Sequence, residues 1–283
     1  MSKGRLVKSV DGTDIYAEAV GDPSKPAAVF LHGFSMSSMA FDAIFADPEW
    51  IANLYMVRYD IRGHGRSAKP IDEASWQSKR LSEDFEAVVD SFGLHRPFVL
   101  GLTLDSGTYI TDVLSFKPPT YIAGIIYAAA LPYMGPTLAK VGSPACLLPL
   151  VPLMHATSVE EYQTAAITFL ELTHSDLPYT YYLACLGNSI IRRREVTTRL
   201  LGRTQDEAGL LKAGRETDLP LLVIHGTTDR VIIRKEVFNA IEGWRNMTVV
   251  DIDNAEHFLW ISQPEKFRRE VLTWIFNQTA CSS

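Results

Sequence analysis

Two residues late in the chain have the types and the setting for acid–base work. Asp229 stands in Ile224-His225-Gly226-Thr227-Thr228-Asp229, just after an apolar run, and His257 stands in Asn254-Ala255-Glu256-His257, after the following one. An imidazole near its neutral pKa can take a hydroxyl proton and return it, and a buried carboxylate fixes its tautomer. Two earlier apolar runs end in residues of equal interest. One is Leu31-His32-Gly33-Phe34; the other is Gly101-Leu102-Thr103-Leu104-Asp105-Ser106-Gly107. Alone, an aspartate after a strand is ordinarily a cap, and a loop histidine is solvated or bonded to backbone.

These residues need elements to hold them. Arg5 to Val10 and Asp14 to Ala19 flank Asp11-Gly12, a two-residue hairpin signal. Short, continuously apolar runs follow at 27–31, 54–59, 98–100, 122–128, 221–225 and 248–252, as strands buried on both faces require. Helical spacing fills the gaps: Leu81, Phe85, Val88, Val89 and Phe92 run up to Gly93, and Phe267, Val271, Trp274 and Ile275 repeat the pattern near the end. Strands alternating with helices predict right-handed crossovers and a doubly wound, mostly parallel α/β sheet. Ligands of such sheets bind beyond the carboxyl ends of the strands, which is where the four sites fall. From Tyr133 to about Thr217 the alternation stops. Prolines crowd its start, and helix-like stretches follow at 159–172 and 179–194. The expected organisation is therefore a core of residues 1–132 and 218–283 with a helical cap, 133–217, inserted into it.

Together the strand ends resemble the α/β-hydrolase superfamily, over essentially the whole chain outside the cap. The strongest marker is Asp60-Ile61-Arg62-Gly63-His64-Gly65-Arg66-Ser67, similar to the D-x-R-G-x-G-x-S loop of that superfamily; Asp60 and Arg62 are expected to brace loops by charge-assisted bonds. The resemblance implies that the turn at His32-Gly33 gives one backbone N–H of an oxyanion hole, from Phe34. It places the segment from Pro97 to Gly107 where the superfamily has a strand followed by G-x-S-x-G, a sharp elbow that exposes a nucleophile. Here threonine replaces serine and Asp105 replaces the second glycine.

Gly101 closes the apolar strand two residues earlier, so Thr103 is the expected tip and Leu104 gives the second oxyanion N–H. A shifted register would make Asp105 the nucleophile, as in epoxide hydrolases and dehalogenases. Ser106 ranks third, already helical and turned away. Threonine at the tip is costly, because the elbow residue has positive φ, an outlier for a β-branched side chain, at on the order of 1–3 kcal/mol. Asp105 suits the start of a helix but, if ionised nearby, offsets part of any oxyanion stabilisation. In the superfamily the acid and the histidine follow the nucleophile in the order Asp229, His257, and the pair at that spacing is the best-supported part of the site.

Composition narrows the remaining classes. Of 283 residues 47% are hydrophobic and 21% charged, so bulk disorder is not expected. A net charge of -6 argues against nucleic acid and against a polybasic membrane anchor. No apolar stretch approaches the ~20 residues that span a bilayer, and the N-terminus shows no signal-peptide core. Cys146, Cys185 and Cys281 are widely spaced with no CxxC, which excludes a disulfide framework or a zinc site on spacing and fits a reducing cytoplasm. Neither a G-x-G-x-x-G after a strand nor a P-loop is present, so no nucleotide, metal or other cofactor is expected. The partner expected is a small-molecule substrate; the sequence leaves oligomeric state open. Arg192-Arg193-Arg194 reads as the solvated face of a helix. His64, His95, His155, His174 and His225 read mostly as surface or loop groups, with His155 and His174 able to face substrate from the cap.

Three readings follow. The first is a cofactor-free hydrolase of a small, fairly apolar ester, lactone or related acyl compound, with a Thr103/His257/Asp229 triad. The second is a lyase, isomerase or cyclase that uses His257 and Asp229 as acid and base while Thr103 positions a substrate. The third is a binding protein that keeps the pocket without turnover.

Overall fold

The computed structural model describes residues 4–280; Cys281 lies outside them. Eight strands form one sheet: β1 (Arg5–Lys8), β2 (Asp14–Val20), β3 (Ala27–Leu31), β4 (Tyr55–Tyr59), β5 (Phe98–Leu102), β6 (Gly124–Ala128), β7 (Leu221–Gly226) and β8 (Met247–Ile252). Their order is β1-β2-β4-β3-β5-β6-β7-β8, antiparallel from β1 to β4 through β2 and parallel from β4 onward. The apolar runs account for the middle: β5, β6 and β7 are buried at every position. At the edge, β8 alternates apolar residues with Thr248 and Asp251 and is largely exposed, as an unpaired edge favours.

Helices cover both faces. Before the third parallel strand come α1 (Asp42–Ala46), α2 (Pro48–Asn53) and α3 (Ser78–Ser91); α4 (Thr103–Phe116) follows β5 directly. Between β6 and β7 lie α5 (Pro136–Val141), α6 (Pro144–His155), α7 (Val159–Thr173), α8 (Tyr179–Ile191), α9 (Arg194–Leu201) and α10 (Ala208–Glu216). The chain closes with α11 (Arg234–Ala240), α12 (Leu259–Ser262) and α13 (Pro264–Ala280). Helix α10 lies on α4, where a Cβ at Gly209 would stand 2.4 Å from the Leu114 carbonyl. Local chemistry starts the inserted helices: Ser143 accepts from the Cys146 amide at 3.1 Å at the head of α6, and Ser158 accepts from Glu161 at 3.1 Å at the head of α7. Among the described residues, no helix is long and apolar enough to cross a membrane.

Three local expectations need correction. The hairpin is longer than two residues: β1 stops at Lys8, and Gly12 turns at φ +83°. Asp11 spends its oxygens on the Thr13 amide at 3.0 Å and on Arg62 at 3.1 Å, which ties this loop to the one after β4. Second, the helix expected over 179–194 breaks at Arg192, whose ψ of 126° is extended. Arg192 turns inward and is 2% exposed, so the triple arginine is not one solvated face. Third, His64 and His225 are buried. His64 packs edge-on against His32 with ring centroids 5.0 Å apart, and His225 lies within β7, a strand buried on both faces.

Candidate active site

The site sits at the carboxyl ends of β3, β5, β7 and β8. Strand β5 ends at Leu102 and helix α4 begins at Thr103, with no loop residue between them. So abrupt a reversal needs a left-handed backbone, and Thr103 has φ +69°. For a β-branched residue that is a strained conformation. Glycines make room around it. A Cβ on Gly101 would meet Ser106 Oγ at 2.9 Å, and one on Gly107 would lie 2.3 Å from the Leu131 carbonyl, so the first turn of α4 packs where larger residues cannot. Ser106 is buried and donates to the Thr103 carbonyl at 3.1 Å, beneath the turn.

The loop after β3 meets this elbow. A Cβ on Gly33 would fall 1.5 Å from Thr103 Oγ1, so the threonine hydroxyl lies directly against the His32-Gly33 turn. His32 holds that turn in place. Its Nε2 accepts from the Ile61 amide at 3.0 Å and its Nδ1 lies 3.0 Å from the Gly33 carbonyl, a pattern that assigns the proton to Nδ1. Burial depresses the pKa of His32, which favours the neutral ring that this pattern requires. The loop after β4 is braced as the sequence implies. Asp60 accepts from Ser38 and Arg66 amides at 2.7 Å each, while Arg62 forks onto Asp84 at 2.6 Å through both Nε and Nη2.

Asp229 and His257 come together. His257 Nδ1 lies 2.9 Å from Asp229 Oδ2, and both side chains are buried. The other carboxylate oxygen accepts from the amides of Val231 at 2.7 Å and Ile232 at 3.2 Å. Burial opposes the charge on Asp229, but His257 and the two amides outweigh it and hold this carboxyl below the usual carboxylate range. Thr103 and His257 line one cavity with Phe34, Ser35, Met36, Phe169 and Phe258, closed above by residues of α7 and α8 that include Cys185 and Ser189. The cavity measures about 20 Å³, room for one water molecule. No hydrogen bond joins Thr103 to His257 among the described residues.

Asp105 takes another direction. It is the third residue of α4 and fully buried; Oδ2 accepts from Tyr109 Oη at 2.9 Å, and Asp105 is not among the cavity walls. Burial raises its pKa, against the lowering effect of Tyr109 and of the charges on Arg203 and Arg192. His155, His174 and the apolar residues of α6 do not line the cavity either. His174 instead lies 3.3 Å from Glu256. Among the described residues no three His, Cys, Asp or Glu side chains gather as a metal would require. Sequence reasoning missed Cys185, Ser189 and the buried Arg192; nothing in their local spacing marks them.

The doubly wound sheet, the strand-to-helix elbow and the strand-end pair define a class, and comparison with known proteins agrees. A model of the alpha/beta hydrolase family matches residues 28–270, and the chain belongs to that family. It is similar to the crystal structure of the esterase RhEst1 from Rhodococcus sp. ECU1013, at TM-score 0.84 and 27% identity over 97% of this chain and 98% of that one. It is 24% identical to a pimeloyl-[acyl-carrier protein] methyl ester esterase of Pectobacterium carotovorum, over 87% of this chain and 92% of that protein. Epoxide hydrolase B of Mycobacterium tuberculosis is 30% identical over 48% of this chain. The chain spans only 15% to 37% of the length of the mycobacterial relatives it matches.

Proposed function

We propose that the chain is a cofactor-independent, esterase-like hydrolase of a small ester, lactone or related acyl compound, acting in the cytoplasm. The observation that carries this reading is the positive-φ Thr103 in one cavity with His257, whose Nδ1 is held by Asp229 at 2.9 Å. In the reaction Thr103 Oγ1 attacks the acyl carbon while His257 Nε2 takes its proton. The alcohol leaves with that proton, and a water activated by the same imidazole then releases the acid. Asp229, ionised and doubly held by backbone amides, keeps the proton on Nδ1 and leaves Nε2 free to act as base. The amides of Phe34 and Leu104 receive the developing oxyanion; each such donor is worth roughly 3–4 kcal/mol. Leu104 qualifies because first-turn amides of a helix have no partner one turn back. Apolar walls from Met36, Ala166, Phe169, Leu170 and Phe258 match an apolar acyl chain in character, and they must part to admit it because the cavity as it stands has room for one water. The free, buried thiols of Cys146 and Cys185 fit a reducing compartment.

Hydrolysis of short p-nitrophenyl esters tests this reading. Thr103→Ala should abolish turnover while the fold, read by circular dichroism, stays intact; unchanged turnover would refute it. One observation favours a second reading. Because no hydrogen bond joins Thr103 to His257, a lyase, isomerase or cyclase could use His257 and Asp229 as acid and base with Thr103 only positioning the substrate. Thr103→Ser separates the two: a large gain of esterase activity supports the second reading, and retained esterase activity of similar size supports the first.

A further inference from the structure

Among the described residues, buried guanidinium groups are met by carboxylates, with one exception. Arg62 forks onto Asp84, and Arg203 Nη2 contacts both oxygens of Asp112 at 2.6 and 2.7 Å. Arg192 is equally buried, and its Nε donates to Thr197 Oγ1 at 2.9 Å. Its Nη1 and Nη2, however, meet no acceptor. The one carboxylate in electrostatic reach, Asp105, is committed to Tyr109. A desolvated cation without a paired carboxylate is costly to bury, and the pKa of Arg192 accordingly falls to about 10 under burial.

Arg192 is not itself a cavity wall, but it packs against residues that are. The guanidinium carbon lies 4.2 Å from the ring centroid of Phe34, and Phe34 lines the cavity with Thr103. Ser189, one turn before Arg192 on the same segment, is also a cavity wall. A second buried group with one unpartnered atom lies near the same segment. Val196, beside Thr197, is the contact that a Cβ on Gly63 would meet at 2.6 Å, which brings His64 to this end of α9. His64 Nδ1 lies 3.2 Å from the Arg62 carbonyl, which assigns the proton there and leaves Nε2 as an acceptor without a donor.

We infer that Arg192 heads an anion-binding subsite of the reaction chamber, and that the substrate is an ester whose acyl chain carries a free carboxylate. This rests on the hydrolase reading and adds the substrate class to it. Because the cavity as it stands has room for one water and Arg192 is not among its walls, binding requires the Phe34 ring to swing aside. The apolar chain then runs from Thr103 past Phe34, and its carboxylate forks onto Nη1 and Nη2 of Arg192 in the planar geometry that guanidinium favours. His64 Nε2 accepts from a hydroxyl or water beside that carboxylate.

A matched pair of esters tests the inference: methyl hydrogen glutarate, which carries the charge, and methyl pentanoate, which does not. The wild-type protein should favour the anionic ester, chiefly through KM. Arg192→Met should lower kcat/KM by about 30-fold or more on the anionic ester alone, the range for removing one partner of a buried charge pair. Arg192→Lys should keep part of the preference. Glutarate should raise the Tm of the wild-type protein and leave Arg192→Met unmoved. No preference in the wild-type protein, or equal losses on both esters in Arg192→Met, overturns the subsite, and the wild-type comparison decides even if the Met variant fails to fold. If methyl pentanoate is cleaved but glutarate neither binds nor inhibits, the subsite fails and the hydrolase reading stands. If neither ester is cleaved while glutarate stabilises only the wild-type protein, the hydrolase reading fails and the anion site stands.

Discussion

The strand ends and the inserted helices meet at one cavity, yet they are built differently. On the sheet side the groups that shape the site are held by several bonds each: Asp229 makes three hydrogen bonds, His32 two, and Asp60 and Arg62 bind neighbouring loops, although Ser35 Oγ and both ring nitrogens of His225 are buried without a partner. The helices above contribute apolar walls and sparse polar ties. The Arg230 side chain donates to the Glu171 carbonyl at 2.7 Å, and the Ser175 amide donates to Glu256 at 2.7 Å. Both ties land on residues adjacent to the Asp229–His257 pair. Leu148, 75% exposed, and Val151 on α6 face solvent. The proposed reactive geometry rests on the sheet, where positions must hold to fractions of an ångström, and the proposed substrate selection rests on the helices, where Nη1 and Nη2 of Arg192 have no acceptor.

Breaking the sheet side should cost most. Asp229→Asn replaces the charge that orients His257 and is expected to lower kcat on the order of 10⁴-fold with little change in KM, as steady-state kinetics would read. A smaller loss, confined to stability, would mean that the pair is structural.

The next effect is on stability. Burial lowers the pKa of His225 from 6.5 to about 4, so the unfolded chain takes up that proton first. Stability is therefore full above about pH 6.5 and declines as pH falls toward about 4, by roughly 3 kcal/mol from this group. Buried His32 and His64 shift in the same direction. Asp229 acts in the same direction at lower pH: its depressed pKa contributes stability that is lost as pH falls below the ordinary carboxylate range. Urea midpoints measured from pH 7 to 4 should fall, and His225→Leu should flatten the curve; a midpoint independent of pH would contradict the burial of these rings.

Gly33→Ala comes third. Its Cβ would strike Thr103 Oγ1, so the turn or the hydroxyl must shift. A displacement near 1 Å is worth about 10²-fold in kcat, or ~2.7 kcal/mol. The fold should survive, as near-ultraviolet circular dichroism would report. Smallest of all, Leu148→Gln on the solvent face of α6 should change stability by less than about 0.5 kcal/mol and leave kinetics alone.

The same contrast explains what was legible in the sequence. The sheet's strands are continuous apolar runs, and turn residues mark their ends, so His32-Gly33, Thr103, Asp229 and His257 stand out from local patterning alone. Even the positive φ at Thr103 follows from the register that Gly101 sets two residues earlier, although β5 runs one residue past Gly101, to Leu102. Arg192 does not stand out, because three arginines in a row read as solvated surface. Its inward turn depends on a helix break and on the Phe34 ring, supplied by a distant part of the chain. His64 and His225 were hidden for a related reason: burial there is set by tertiary packing that no spacing encodes. The direction of Asp105 was equally out of reach: its partner Tyr109 lies one turn along α4, but the burial of both is set by tertiary packing.

The covalent step proposed at Thr103 is tested most directly by intact-protein and peptide mass spectrometry during turnover of a p-nitrophenyl ester, quenched in acid within the first turnovers. An acyl mass added to the peptide that contains Thr103, and absent from Thr103→Ala, is the predicted result. Turnover of that ester with no adduct on this peptide, or with the adduct on Asp105 or Ser106, would contradict it.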